Sequence, residues 1–508
     1  MKRLRLLPVF IIIALTPASA NVLGAVLTAG SPSSWQEKVS PGVLRRFELQ
    51  GEAEFIAFMQ QQADLSPTRT IQDKVEKGHQ VFRLLTETAA GSQSNLLAQL
   101  HDSGAAYRSY WIANMIWVRG DISVLETVAA SPQVVAVYAN PYLLLELPLP
   151  SEAPQPQAAS AIEPNISHIR APEVWELGVT GQGVVIGGQD TGYDWDHPAL
   201  IDKYRGWNGS AVEHSYNWHD AVHSGGGNCG TDSPEPCDDH LHGTHTMGTM
   251  VGDDGGANQI GVAPGAKWIG CRNMNQGVGS PVTYSECFQW FVAPTDANDE
   301  SPDPSRAPHV INNSWACPPT EDCDEAIVLQ TVVENVRAAG IVVVSSTGNS
   351  GPGCSSVQYP PAIYEASFSI GATDTSDNIA PFSSRGPVTV DGSNRLKPDV
   401  VAPGMSVRSS VPGGGYGNLS GTSMAAPHVA GLVALIISAN PSLAGDIDAI
   451  EATIRENAVP LTSLQECGGI SGSTIPNNTY GYGRIDALNT FLAIELPHRQ
   501  YIPYSVAR

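Results

Sequence analysis

The sequence predicts an α/β fold: a mainly parallel sheet buried on both faces and flanked by helices, preceded by a small α+β unit. Three observations carry this expectation. Apolar runs before Asp190, around Trp268, at Val310 and at Val342 are continuous rather than alternating, and helical patterns separate them. Continuous runs of that kind mark parallel strands covered on two sides. The region before residue 150 shows alternation and a short helical pattern instead, and a Pro/Ala-rich run, 148–159, follows it. Such a run is stiff and exposed, a linker open to processing.

The elements follow in order. Met1-Lys2-Arg3-Leu4-Arg5 is basic, Leu6 to Leu15 is apolar, and Ala18-Ser19-Ala20 is small. This is an export-signal pattern, so 1–20 reads as a signal peptide and the product as secreted and extracellular. The apolar stretch is short of the ~20 residues that span a bilayer. In 21–150, alternation in Arg45-Arg46-Phe47-Glu48-Leu49 and from Tyr110 to Val118 predicts extended segments. Ile122 to Ala130 predicts a helix and Val134 to Tyr138 a strand. Together these fit a β-α-β-β-α-β, ferredoxin-like unit. A linker at 151–164, one large domain at 165–495 and a tail at 496–508 complete the division, and over 300 residues suffice for one large core.

Charge and cysteines separate the same regions. The formal net charge is −23, of which the residues after 160 carry −22. That excess repels nucleic acid and anionic membranes, excluding both as partners, and suits solubility outside the cell. All eight cysteines lie after Asp190. An even count in an exported chain predicts disulfides. Sequence closeness pairs Cys229 with Cys237 and Cys317 with Cys323; Cys271–Cys287 and Cys354–Cys467 follow by exclusion.

Chemistry concentrates in three segments. Ser420 to Gly431 places one hydroxyl, Ser423, among residues with little bulk, ahead of the apolar run Leu432 to Ile437. A helix starting there turns free N–H groups and a positive dipole end on that hydroxyl. Val184 to Gly192 reads as a buried strand ending in Asp190, and His240 to Val251 as a small-residue helix with imidazoles at its start. Acid, base and nucleophile thus occur in the order Asp, His, Ser, one of the known chain orders of a catalytic triad.

Gln189-Asp190-Thr191-Gly192, His242-Gly243-Thr244-His245 and Gly421-Thr422-Ser423-Met424-Ala425-Ala426-Pro427 resemble the motifs of subtilisin-like serine proteases, the subtilases. Gly261 to Ala266, Phe382 to Pro387 and Lys397 to Gly404 support the likeness. Gly270-Cys271-Arg272-Asn273-Met274 with Phe288 to Pro294 is most similar to the bacillopeptidase F-like branch. The resemblance implies a self-processing serine endopeptidase acting on proteins and peptides. Ser423 is then the nucleophile, His242 the base and Asp190 its partner. Asn349, in Ser346-Thr347-Gly348-Asn349, supplies an oxyanion donor with the Ser423 N–H. His245 is a packing residue.

The resemblance also implies that 21–150 is an inhibitory propeptide that assists folding, fills the cleft and is removed. Ser314-Trp315-Ala316 is similar to the strand that pairs with substrate, with Trp315 bulkier than the usual residue. Thr347 and Gly348 face it, with Gln358 near the pocket floor; no acid stands at these positions, so a neutral or apolar preference is expected. The chemistry needs no cofactor. Asp238-Asp239 and Asp253-Asp254 are acidic pairs of the kind that bind structural calcium in many members, without a recognisable ligand spacing. A monomer is expected. Two other readings are a non-catalytic secreted binding protein on this scaffold, and a zinc hydrolase built on His240, His242, His245 and Cys229 or Cys237.

Overall fold

A computed structural model describes residues 35–145, 162–225, 227–318, 323 and 327–494. The expected signal peptide, the start of the expected propeptide, nearly all of the expected linker and the expected C-terminal tail lie outside these residues.

The N-terminal unit begins with helix α1 (Pro41–Gln50) and strand β1 (Glu52–Met59), followed by α2 (Lys74–Ser103), β2 (Ala106–Tyr110), β3 (Met115–Asp121), α3 (Ile122–Ala130), β4 (Val134–Ala139) and β5 (Leu143–Leu144). From β1 to β4 the order is β-α-β-β-α-β, and the sheet is antiparallel in the order β2-β3-β1-β4. Two details differ from the sequence reading. The alternation at 45–49 lies in α1, because Pro41 opens a helix at its first turn and Gly51 closes it at φ 74°. The run 110–118 is broken by a turn in which Asn114 sits at φ 41°, a conformation asparagine tolerates. The 30-residue α2, capped by Asp73 at the Glu76 N–H, buries Val81, Leu85, Ala89, Leu96 and Leu100 along one face.

The second unit opens with α4 (Pro164–His168) and α5 (Ala171–Glu176). It continues through β6 (Val185–Asp190), β7 (Trp218–Asp220), α6 (His242–Val251), β8 (Lys267–Arg272), β9 (Met274–Asn275), β10 (Val278–Gly279) and α7 (Pro281–Val292). Then come β11 (Val310–Asn313), α8 (Ile327–Ala338), β12 (Val342–Ser346), β13 (Phe368–Thr373), β14 (Val400–Pro403), the hairpin β15 (Val407–Val411) and β16 (Gly415–Leu419), α9 (Thr422–Ala439), α10 (Ile447–Glu456) and α11 (Ala487–Ala493). Seven strands form one parallel sheet in the order β14-β13-β12-β11-β6-β8-β7. The chain runs outward from β6 to one side and returns as β11 on the other. The strand order therefore switches direction at the C-terminal ends of β6 and β11, where open α/β sheets bind ligands.

Helix α9 explains the small-residue motif structurally. Residues 422–437 are buried on every face, packed on α6 and on β11 to β14. An all-round apolar helix belongs in a core. It is long and apolar enough to cross a membrane, yet 89% of it is buried inside the fold. All four expected cysteine pairs are formed.

Candidate active site

Strand β6 delivers Asp190 at its C-terminal end and α6 delivers His242 at its first residue. The His242 Nδ1–H donates to Asp190 Oδ1 at 2.7 Å, with both side chains buried. The Thr191 N–H donates to the same oxygen at 2.8 Å, and Thr246 Oγ1 lies 3.4 Å from Asp190 Oδ2. The approach depends on missing side chains. A Cβ on Gly243 would stand 2.1 Å from the Gly192 carbonyl, so α6 could not sit this close to β6 with any larger residue. Leu241, just before His242, is held at φ 90°, a strained position for leucine that turns the chain into the helix.

That strain is secured by Asp238. Its Oδ1 accepts from the His240 and Leu241 N–H groups and from Thr191 Oγ1. Its Oδ2 accepts from the Thr244 N–H and hydroxyl. Asp238 thus ties the start of α6 to the end of β6. An aspartate just before a helix start is the sequence signal for this role. Asp253 and Asp254 likewise accept from turn N–H groups. Among the described residues no group of three His, Cys, Asp or Glu side chains is spaced as a metal site.

Ser423 is the second residue of α9 and is 3% exposed. Its hydroxyl donates to the Ser314 carbonyl at 3.3 Å, while Ser314 Oγ donates back to the Ser423 carbonyl at 3.1 Å. His242 Nε2 has no hydrogen-bond partner here, so the serine–imidazole bond is not closed in this conformation. Such bonds are often long in the resting state. Asn349 Oδ1 accepts from the Thr422 N–H at 2.9 Å and from Thr422 Oγ1 at 3.0 Å. Gly348, at φ 97°, gives its N–H to the same hydroxyl at 3.2 Å. Thr422, given no role of its own by the motif, orients the Asn349 amide.

A cleft of about 230 Å³ is lined by Ser314, Trp315, Ala316, Ser346, Gly348, Asn349 and Ser423, together with Pro318, Ser350, Tyr359, Leu144 and Leu145. The predicted wall residues are therefore brought together with Ser423 and Asn349, Thr347 excepted. Thr347 is buried behind the wall, its hydroxyl bonded to the Ile370 carbonyl. Gln358 turns to the Ser355 carbonyl, and its neighbour Tyr359 takes the place at the cleft. Trp315 is accommodated by stacking on Tyr284 at 3.8 Å, which absorbs the extra bulk into the core.

Two further buried histidines, His245 and His428, pack in the core. Burial, then the neighbouring His242, pushes His245 down to about 3, and its Nε2 contacts the carbonyls of Val407 and Gly417. Burial also holds His428 down at about 4. Cys229 and Cys237 are bonded to each other, which removes the thiolates a zinc site at α6 would need.

A model described as the subtilase family matches residues 181–483. The chain belongs to the subtilase family of serine peptidases. It is 38% identical over 437 residues to Bacillopeptidase F of Bacillus subtilis (strain 168), a match covering 82% of this chain and 29% of that protein. It is 31% identical over 330 residues to Subtilisin Savinase of Lederbergia lenta, covering 65% of this chain and 98% of the relative. The same identity and length relate it to Alkaline protease of Shouchella clausii, of which 70% is covered.

The N-terminal unit reaches this site. Strand β5 pairs antiparallel with β10, and the Leu145 N–H donates to the Gly277 carbonyl at 2.7 Å. Ile56, Phe58, Tyr110, Ile112 and Leu143 share one apolar cluster with Phe288, Trp290 and Val336 of the second unit. Gln289 Oε1 accepts the Trp111 N–H at 2.7 Å, and Asn140 Oδ1 accepts the Val282 N–H at the start of α7.

Proposed function

We propose that this protein is a secreted serine endopeptidase made as a self-processing precursor. His242 Nε2 takes the proton as Ser423 Oγ attacks the scissile carbonyl, and Asp190 orients the imidazole and stabilises its charged form. The Asn349 side-chain N–H and the Ser423 backbone N–H receive the developing oxyanion at the start of α9. His242 then protonates the leaving amine, and water releases the acyl group by the reverse path. The observation that carries this reading is the buried Asp190–His242 pair at the sheet's switch point, together with Ser423 in the first turn of α9.

The N-terminal unit acts in this reading as a propeptide. Its last described residues form an extra strand on β10 and enter the cleft that holds Ser423, as a peptide substrate would. The bond to be cut then lies after Leu145, before the second unit begins at residue 162. The cleft lining carries no acid or base, which supports neutral or apolar side chains as the preferred occupants.

Ser423→Ala tests both parts. Casein hydrolysis should vanish and the variant should accumulate as a folded, uncut precursor. Hydrolysis that survives would remove Ser423 from the nucleophile's role, and normal maturation of the variant in isolation would contradict self-processing.

A further inference from the structure

Beside the junction of the two units, two histidines converge on one carboxylate. His219 Nε2 lies 3.0 Å from Glu286 Oε1, and His223 Nε2 lies 2.7 Å from the same oxygen. The opposite face of each ring is also held by an acid: His219 Nδ1 contacts Asp299 Oδ1 at 3.0 Å, and His223 Nδ1 contacts Asp232 Oδ1. His219 stacks on Trp290, and the Tyr110 hydroxyl donates to the second oxygen of Glu286 at 2.6 Å. His219 and Glu286 are buried, and a cleft of about 360 Å³ opens beside them. None of these groups takes part in the chemistry proposed above.

We propose that His219, His223 and Glu286 form a binding site for a divalent transition-metal ion of the zinc type. Carboxylates only accept, so four ring-nitrogen contacts to three acids require a hydrogen on every nitrogen, making both rings cations. Two imidazolium rings crowded on one oxygen repel each other. One divalent cation in place of the two Nε2 hydrogens carries the same charge without that repulsion. It leaves each Nδ1–H on its aspartate, the arrangement in which metal-bound imidazoles are oriented by an outer carboxylate. Two imidazole nitrogens and a carboxylate oxygen suit zinc or cobalt, whereas calcium takes oxygen ligands.

The donors stand at hydrogen-bonding spacing, and no finished cluster of three is drawn together among the described residues. The movement required is small. A tetrahedral ion with ligands at ~2.1 Å sets neighbouring donors ~3.4 Å apart, so the Nε2–Oε1 separations, 3.0 and 2.7 Å here, need open only slightly. The adjoining cleft gives water access to a fourth position. All three ligands lie in the second unit, so the ion stays with that unit after the N-terminal unit leaves; Tyr110 bonds to the outer oxygen of one ligand.

The test uses the full chain, stripped with chelator and titrated with Zn²⁺ by calorimetry and with Co²⁺ by visible absorption. One ion per chain is expected, with the intense cobalt bands of four-coordination. His219→Gln and His223→Gln should each abolish stoichiometric binding. Asp232→Asn, which alters an exposed carboxylate and so leaves the fold intact, should weaken binding 10–100-fold. Millimolar Ca²⁺ should not compete. Absence of stoichiometric zinc, affinity unchanged in Asp232→Asn and the folded histidine variants, or displacement by calcium would each overturn the proposal.

Discussion

Replacing Thr422 by valine keeps the shape of a buried side chain and removes its hydroxyl. That hydroxyl donates to Asn349 Oδ1 at 3.0 Å and accepts the Gly348 N–H at 3.2 Å. The Thr422 N–H still holds Asn349 Oδ1 at 2.9 Å, so the amide keeps one of the two Thr422 bonds to its oxygen. Deleting an oxyanion donor outright costs on the order of 10²–10³ in kcat, a magnitude measured on subtilisin itself. A neutral hydrogen bond is worth ~0.5–1.5 kcal/mol net, so losing one of these two bonds should lower kcat by roughly 2–13-fold. KM should change little, because the oxyanion forms only beyond the ground state. The stranded Gly348 N–H adds ~1–3 kcal/mol of lost stability, so rates must be read well below the melting temperature. Kinetics on a chromogenic peptide amide would measure the effect, repeated in an Asn349→Ala background. There Thr422→Val should cost almost nothing further in kcat, since the group it orients is gone. A wild-type kcat in the single variant, or full additivity in the double, would refute the claim that Thr422 acts through Asn349.

Two further outcomes follow from buried groups. His245 and His309 are pushed down to about 3 and His428 to about 4, in each case chiefly by burial, so all three stay neutral in the fold. Unfolding exposes them at their ordinary value near 6.5, so stability is complete above that pH and falls as pH drops toward 4. Each contributes on the order of 3 kcal/mol by pH 4; denaturant midpoints on the Ser423→Ala chain should fall steeply between pH 6.5 and 4, and a level profile would contradict the assignment. Among the disulfides, Cys354–Cys467 spans 113 residues and Cys317–Cys323 spans 6. Loop entropy then assigns them ~4.8 and ~2.2 kcal/mol. Paired serine substitutions should lower the melting temperature more for the long loop, and the reverse ranking would show that native-state contacts decide instead.

Much of the site could be read before any coordinates. Asp190, His242 and Ser423 each sit in a local pattern that announces its element: a strand end, a helix start, a small-residue helix. Short cysteine separations gave two disulfides directly, and Ile122 to Ala130 is helical with the expected bounds. The start of the chain was harder, because 45–49 alternates yet lies in a helix fixed by Pro41 and Gly51 at its ends.

Period, capping and motif are properties of neighbouring residues, so the amino-acid order determined the strand ends, the helix starts and the chemical types at the site. Only packing decided that Trp315 stacks on Tyr284, that Thr347 turns away from the cleft while Tyr359 enters it, and that Leu145 reaches a cleft shared with Ser423. The same holds for Glu286, which gathers two histidines 63 and 67 residues away and a tyrosine 176 residues away. Contacts over such separations depend on how whole layers come together, and no local periodicity encodes them.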